Sequence, residues 1–429
     1  MKVHYACQSD AHRLARRQFL GSVAAGTSAV VGGLGILARP AAAEQLAKAQ
    51  KRILVVNMHG GLSQLESWDP KPGTDTGGPF RAIPTSVPGI HISELLPYTA
   101  QQVHHMCLVR GVNTAEDDHG KGAYMMMTGR RQTPASDHPM LGAVAAKALW
   151  PETSSLPGHI VVTPGGGGSR GNEAAYLGPK YSSIAMGNGN PPQNTTRPAQ
   201  ITEQMDAARN DFRKKINDKF LSRRRSAVTD AYTYSYEQAQ QLMQQREVFD
   251  VTKESPEDFE RYGKHDFGRH CLLARRLLEK GITFVQISHS NYDSHHENFN
   301  FHIEQLGEFD RSFATLLSDL AVRGMLESTL VVVLSEFGRT PGVNHLYGRD
   351  HWSRAWSVAL AGTGIKRGSV YGKTNANGTE VAEGQVDHGQ LFHTYLQACG
   401  VDTTGSFDIN GRAMPIADPA VKVIREVLA

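Results

Sequence analysis

Short apolar runs recur along the chain with little polar alternation inside them: Arg52–Asn57, Met106–Val112, His159–Thr163, Ile282–Ser288, Leu330–Leu334 and Ala355–Ala361. Runs rich in Val, Ile and Leu without a period of two are the pattern of strands covered on both faces. Between them lie segments with helical spacing. These are Ser93–His105, His119–Gly129, Pro139–Leu149, His265–Lys280 (stopped by Gly281), Phe299–Arg323 (stopped by Gly324) and Gly389–Ala398. Strand and helix in alternation predict an α/β fold, a central, mostly parallel sheet flanked by helices.

The alternation breaks after Pro164. Gly165–Gly168 and Asn188–Pro198 are poor in apolar residues, and Gln200–Arg246 is charged and helical in pattern, with Arg223, Arg224 and Arg225 inside it. Residues 165–262 therefore read as a helical, cap-like insertion within a domain spanning 44–429. The arginine run reads as part of a solvated face, with no nucleic acid implied. Gly165–Gly168 lacks the Gly-Lys-Ser/Thr that would make it a phosphate-binding loop.

The first 43 residues have another character. Arg16-Arg17-Gln18-Phe19-Leu20 is a twin-arginine core, Gly21–Ala38 is a Gly/Ala-rich apolar stretch, and Ala41-Ala42-Ala43 is a cleavage pattern. Residues 1–43 are expected to be a signal peptide read by the twin-arginine translocase, cleaved after Ala43 or, as the alternative, kept as an N-terminal anchor, placing the protein in the periplasm or otherwise outside the cytoplasm. No stable transmembrane segment is expected in the mature chain. Removing five basic residues and one acid takes the formal charge from +3 to −1, so the basic balance belongs to the signal. Cys107, Cys271 and Cys399 remain, too scattered for a disulfide framework or a zinc knuckle.

The strand ends carry the candidate chemistry. Asp293, His295 and His296 follow one strand, Glu336 follows the next, and Asp350 and His351 lie on the loop before Ala355–Ala361. His59 follows the first strand, within a glycine turn (Gly60, Gly61), and Asp118-His119 opens a helix. In parallel α/β sheets ligands bind beyond the carboxyl ends of the strands. Imidazole and carboxylate together suit a divalent metal, zinc first, with manganese, iron or calcium as alternatives. The candidate ligands are Asp293, His295, His296, Glu336, His351, Asp350 and His59.

Four stretches carry a family resemblance: His59–Pro72 (HGGLSQLESWDPKP), Tyr292–His295, Ser335–Pro341 (SEFGRTP) and Gly348–Trp352 (GRDHW). Together they resemble twin-arginine-exported, sulfatase-like proteins, a domain of unknown function in the alkaline phosphatase superfamily. The resemblance runs from about residue 50 to the C-terminus. It implies an alkaline phosphatase-like sheet between helices, with a metal site at the strand ends. Asp293 with His295 or His296 resembles the superfamily's first ligand pair, and His351 its later histidine. Glu336 falls where a strand-end Asp stands and Phe337 where a second-site histidine stands. His59 lies near the position of the Asp that follows the first strand. Asp118-His119 falls where Asp-Ser opens the nucleophile helix, so His119 takes the place of the serine. Cys271-Leu-Leu-Ala-Arg275 has the Cys-x-x-x-Arg frame of a sulfatase nucleophile but lacks its proline and falls inside a predicted helix.

The expected function is a metal-dependent hydrolase of a phosphate or sulfate ester, on a small molecule or a glycan. Its nucleophile would be a metal-activated water or His119, with Lys121 and Arg339 as candidates for stabilising anionic charge. The alternative is an inactive, metal-containing protein that binds an anionic glycan at the cell envelope.

Overall fold

The computed structural model describes residues 50–134, 136–151, 154–163, 173–187, 191, 195–222, 227–289 and 291–429. The twin-arginine segment, Gly165–Gly168 and the run of three arginines at 223–225 lie outside the described residues.

Eight strands form the central sheet: β1 (Arg52–Met58), β2 (Met106–Val112), β3 (His159–Thr163), β4 (Ile184–Gly187), β5 (Phe284–His289), β6 (Thr329–Leu334), β7 (Trp356–Gly362) and β8 (Ser369–Tyr371). Their order is β8-β2-β7-β6-β1-β5-β3-β4. Every neighbouring pair is parallel except the two that β7 makes, with β6 and with β2. The expected mostly parallel sheet is therefore present, with one strand reversed inside it.

The longer helices are α1 (His119–Thr128), α2 (Leu141–Leu149), α3 (Glu203–Leu221), α4 (Ala227–Gln244), α5 (Asp266–Glu279), α6 (Asn298–Val322) and α7 (His388–Ala398). Strand β1 shows why the sheet needs helices on both sides. Leu54, Val56 and Met58 point into one core, with Leu272 of α5 and Leu316 of α6. Ile53 and Val55 point into the other, with Val144 of α2 and Leu391 of α7. All five are wholly buried, and each such side chain contributes about 1.5–3 kcal/mol. This explains why the strands read as unbroken apolar runs.

Two expectations change. Ser93–His105 is not one helix: His91–Ser93 pairs with Ala82–Pro84, and only Pro97–Ala100 and a 3-10 turn at Val103–His105 follow. Proline at the first helical position lets a helix start there but not run through it. Gln200–Arg246 is helical as expected, and its described residues include α3 and α4. Within 165–262, Ile184–Gly187 pairs with β3 as the edge strand β4, so part of the stretch read as an insertion belongs to the sheet. No described helix is long and apolar enough to cross a membrane.

Candidate metal centre

The site forms where β1, β5 and β6 end side by side. Beyond β1 the chain turns through Gly60 (φ 109°) and Gly61 (φ 89°). A Cβ on Gly60 would stand 2.5 Å from the amide nitrogen of Tyr292 and 2.7 Å from that of Asp293. Only glycine lets the two loops approach this closely.

Asp293 stands at the centre. Its Oδ1 lies 3.1 Å from Nε2 of both His295 and His351, and its Oδ2 lies 3.4 Å from Nε2 of His119. The Nε2 atoms of His295 and His351 are 3.0 Å apart. The other nitrogen of each ring fixes its tautomer. Nδ1 of His119 meets the Glu336 carboxylate at 2.7 Å, Nδ1 of His295 the Asp350 carboxylate at 2.7 Å, and Nδ1 of His351 the Asp117 carbonyl at 2.7 Å. Carboxylate and carbonyl oxygens only accept, so each Nδ1 donates. In the neutral ring each Nε2 then carries a bare lone pair, and all three lone pairs converge on a carboxylate.

Such a set of acceptors requires positive charge. Arg339 supplies part of it: Nη2 donates to Asp293 Oδ1 at 2.5 Å. Burial pushes the Asp293 carboxyl up, but Arg339 first, and His351 and His295 when protonated on Nε2, outweigh it and hold its pKa at about 2. The hydrogen bond to Glu336 raises His119 above the usual histidine value against the effect of burial.

The donor set fits a divalent metal. His119, Asp293 and His351 each offer a ligand atom, all within 4.8 Å of one another. The tighter triangle is Asp293, His295 and His351, with edges of 3.0 and 3.1 Å. Ligands at zinc bond lengths in a tetrahedron stand about 3.3 Å apart, so this triangle needs to open only slightly. An acceptor behind each imidazole Nδ1 is also the usual support of a metal-bound histidine.

The other candidate residues take different places. Glu336 is buried, and its oxygens accept from Gly60 N at 2.9 Å, His119 Nδ1 and Ser335 Oγ at 3.0 Å. It orients His119 and the Gly60 turn rather than facing the centre with a free oxygen. Burial pushes its carboxyl up, but His119 and His59 prevail and it stays below the usual glutamate range. Asp350 is exposed and holds His295; Asn344 Nδ2 in turn donates to Asp350 at 3.1 Å and to the His295 carbonyl at 2.9 Å. His59 is exposed, with its ring stacked 6.2 Å from that of His119. His296 is exposed and pairs through its backbone with Tyr347, away from the centre.

Arg339 and Lys121, expected to share one role, differ. Arg339 is wholly buried. Besides Asp293 it donates to the carbonyls of Gly60, Gly61 (2.9 Å) and Arg349 (3.0 Å). It fixes Asp293 and has no surface to offer a ligand. Lys121 is exposed and lines a groove of about 440 Å³ with Glu116, Met125 and Arg131. Its backbone nitrogen is capped by the Asp118 side chain at 2.9 Å, which sets the start of α1 and hence His119.

Asp117 and Asn344 were not legible as site residues. Asp117 acts through its carbonyl, which no side-chain pattern marks, and Asn344 lies in a loop without a motif. Cys271 sits inside α5, wholly buried, and burial raises its thiol well above the usual range, so it is no nucleophile.

Among solved structures, the chain is similar to an alkaline phosphatase from the Antarctic bacterium TAB5. Identity is 14%, over 82% of this chain and 98% of that one, with a TM-score of 0.36. It is also similar to the PsFucS1 sulfatase from Pseudoalteromonas sp., at 12% identity over 85% and 72% of the two chains, TM-score 0.38. The lipoteichoic acid synthase LtaP from Listeria monocytogenes matches at 8% identity over 88% and 81%, TM-score 0.38. Comparison with curated protein sequences gives no match. A family profile does match, over residues 50–428, and the chain accordingly belongs to the family described as "Protein of unknown function (DUF1501)".

Proposed function

We propose that this protein is an exported, metal-dependent hydrolase of a phosphate or sulfate ester. The observation that carries the proposal is the convergence of three Nε2 lone pairs on Asp293, each fixed by an acceptor behind its ring. Asp293, His295 and His351 would hold the metal, with His119 on the opposite oxygen of Asp293. A metal bound there would neutralise ester oxygens and lower the pKa of a bound water.

The chain's own residues supply the rest. Glu336 presents His119 with Nε2 facing the centre, placed for nucleophilic attack or for proton transfer at that atom. Arg339 holds Asp293 ionised and in place. The groove beside α1 carries Lys121 and Arg131 together with Glu116, and its two cations would meet an anionic substrate there. Zinc suits the imidazole-rich set best. Export by the twin-arginine route rests on Arg16 and Arg17. Replacing both by Lys should retain the precursor in the cytoplasm, and undiminished export would remove that part of the proposal.

A second reading has its own observation. The Phe337 ring packs 4.8 Å from that of His119 and 4.5 Å from that of His351, with apolar surface against the centre. This favours a metal-containing protein that binds an anionic glycan without turnover. Elemental analysis of chelator-free protein, followed by a panel of phosphate and sulfate esters, tests both. Hydrolysis lost together with metal in Asp293→Asn and His351→Ala supports the hydrolase. Metal with ligand-dependent thermal stabilisation but no product supports the binding protein. Full turnover in a folded double variant refutes the proposed centre.

A further inference from the structure

Helix α3 presents its faces in reverse. A helix laid on a protein normally turns its apolar stripe inward. On α3 the half-buried positions are Asp206, Asn210, Arg213 and Asn217, all polar. Two of them meet α4: Asn217 Nδ2 donates to Thr233 Oγ1 at 2.8 Å, and the Arg213 guanidinium lies 4.5 Å from the centre of the Tyr236 ring. The large apolar side chains point to solvent instead. Met205 is 51% exposed, Phe212 68%, Ile216 50% and Phe220 45%.

These four form a stripe. At 3.6 residues per turn they fall within an arc of about 80°. The exposed Arg209 falls inside the arc, between Ile216 and Phe220; the exposed Lys219 and Lys215 lie along one side of it, and the half-buried Arg213, held against α4, lies on the other. The exposed acids Glu203, Asp211 and Asp218 fall on the opposite side of the helix, and the half-buried Asp206 lies beyond Arg213 toward the inner face. The basic character also grows toward the C-terminal end. From 213 to 221 the helix has four Lys or Arg and a single acid, Asp218.

An exposed apolar stripe holding one arginine, with lysines along its open flank and the exposed acids on the opposite side, is the pattern of a helix lying in a membrane interface. The flanking stems extend along the apolar surface while their charges reach the phosphates. A second copy of the chain fits less well. Two such stripes packed together would bring their Lys and Arg side chains against each other. No described helix spans a bilayer, so the contact would be peripheral.

We infer that the Met205–Phe220 face of α3 docks the protein on the anionic surface of a lipid bilayer. This does not depend on the metal centre. The full chain is mixed with vesicles of phosphatidylcholine alone and with vesicles that also contain phosphatidylglycerol, and bound protein is separated by flotation at low and high salt. The expected result is binding to the anionic vesicles, weakened by salt. The triple variant Phe212→Ser, Ile216→Ser, Phe220→Ser should reduce partitioning by about tenfold or more, since it removes the inserted area. The pair Lys215→Glu, Lys219→Glu leaves every apolar group in place and should also reduce binding to anionic vesicles. Circular dichroism of both variants confirms that the helices persist. Failure of the parent chain to float with anionic vesicles overturns the inference, as does unchanged binding by the folded variants. Sedimentation velocity provides a further arm. A dimer abolished by the triple variant, in a protein that ignores vesicles, would assign the stripe to a second copy and refute lipid docking.

Discussion

Arg349→Met should be among the most damaging single changes in this chain. Arg349 and Glu66 are both wholly buried. The guanidinium donates to Glu66 Oε1 from Nη2 at 2.9 Å and from Nε at 3.2 Å. It also donates to the carbonyls of Thr340 (3.0 Å), Thr76 (2.8 Å) and Pro341. Methionine keeps much of the volume but leaves the Glu66 carboxylate buried without its cation. Breaking a buried pair from one side costs about 3–5 kcal/mol, a large fraction of the roughly 5–15 kcal/mol that holds a domain folded. With a urea slope of about 3 kcal/mol/M or more, the midpoint falls by about 1 M. The loss should reach the site as well. The Arg349 amide donates to the Ser294 carbonyl at 2.9 Å, and its carbonyl accepts from Arg339 at 3.0 Å. Urea unfolding followed by circular dichroism measures the cost. The double variant Glu66→Leu, Arg349→Met removes both charges and should be more stable than Arg349→Met alone. A single variant within about 1 kcal/mol of the parent would refute this account of the pair. So would a double variant that costs as much as the two single changes added together.

Further outcomes follow from other places in the fold. His159 is held neutral by burial, with its pKa lowered to about 4, and burial lowers His289 to about 3. Unfolded, both would titrate near the ordinary value of about 6.5, so below that pH the unfolded state takes up protons the folded state refuses. Stability should therefore hold above about pH 7 and fall from about pH 6.5 down to about 4, by at most about 3 kcal/mol from His159. A urea midpoint unchanged between pH 7 and 5 would contradict this. Gly348→Ala places a Cβ 1.8 Å from the His295 carbonyl oxygen, so it should push His295 outward. Metal content measured by elemental analysis should drop, and full retention would show that His295 is not a ligand. Glu336→Gln keeps an acceptor for His119 but removes the charge that raises its pKa. In metal-free protein the His119 titration, followed by NMR, should move to lower pH, and an unmoved titration would remove Glu336 as the cause.

The strands were legible because burial on both faces leaves each with a run of mainly apolar residues. Thr329–Leu334 and His159–Thr163 could be placed from the sequence within a residue. Ile184–Gly187 was not, because four residues at a sheet edge, next to glycine-rich sequence, carry too little pattern. Ser93–His105 misled for the opposite reason. Its spacing is helical, but its apolar side chains serve a short ribbon and two brief turns packed on the sheet. At the site, the gathering of Asp, His and Glu at strand ends was visible, whereas the distribution of work among them was not. His295 and His296 are adjacent, and only the backbone decides which faces Asp293. Arg339 has the composition of an anion-binding residue, yet burial and four acceptors make it a fixture of the loop.

The reversed strand links fold to chemistry. In a sheet of parallel strands only residues that follow a strand reach the edge where ligands bind. Asp293 follows β5 and Glu336 follows β6, so both arrive there directly. His351 precedes its strand, and would lie at the far edge if β7 ran with its neighbours. Because β7 is antiparallel to β6 and β2, its beginning lies at the same edge as their ends. The short ribbon of His351–Trp352 against Gly338–Arg339 then delivers His351 to Asp293. Strand direction is not written in an apolar run, since a strand buried on both faces reads the same either way. The position of His351 within the motif Gly348–Trp352 was therefore recognisable, while the physical reason it reaches the centre lies in topology alone.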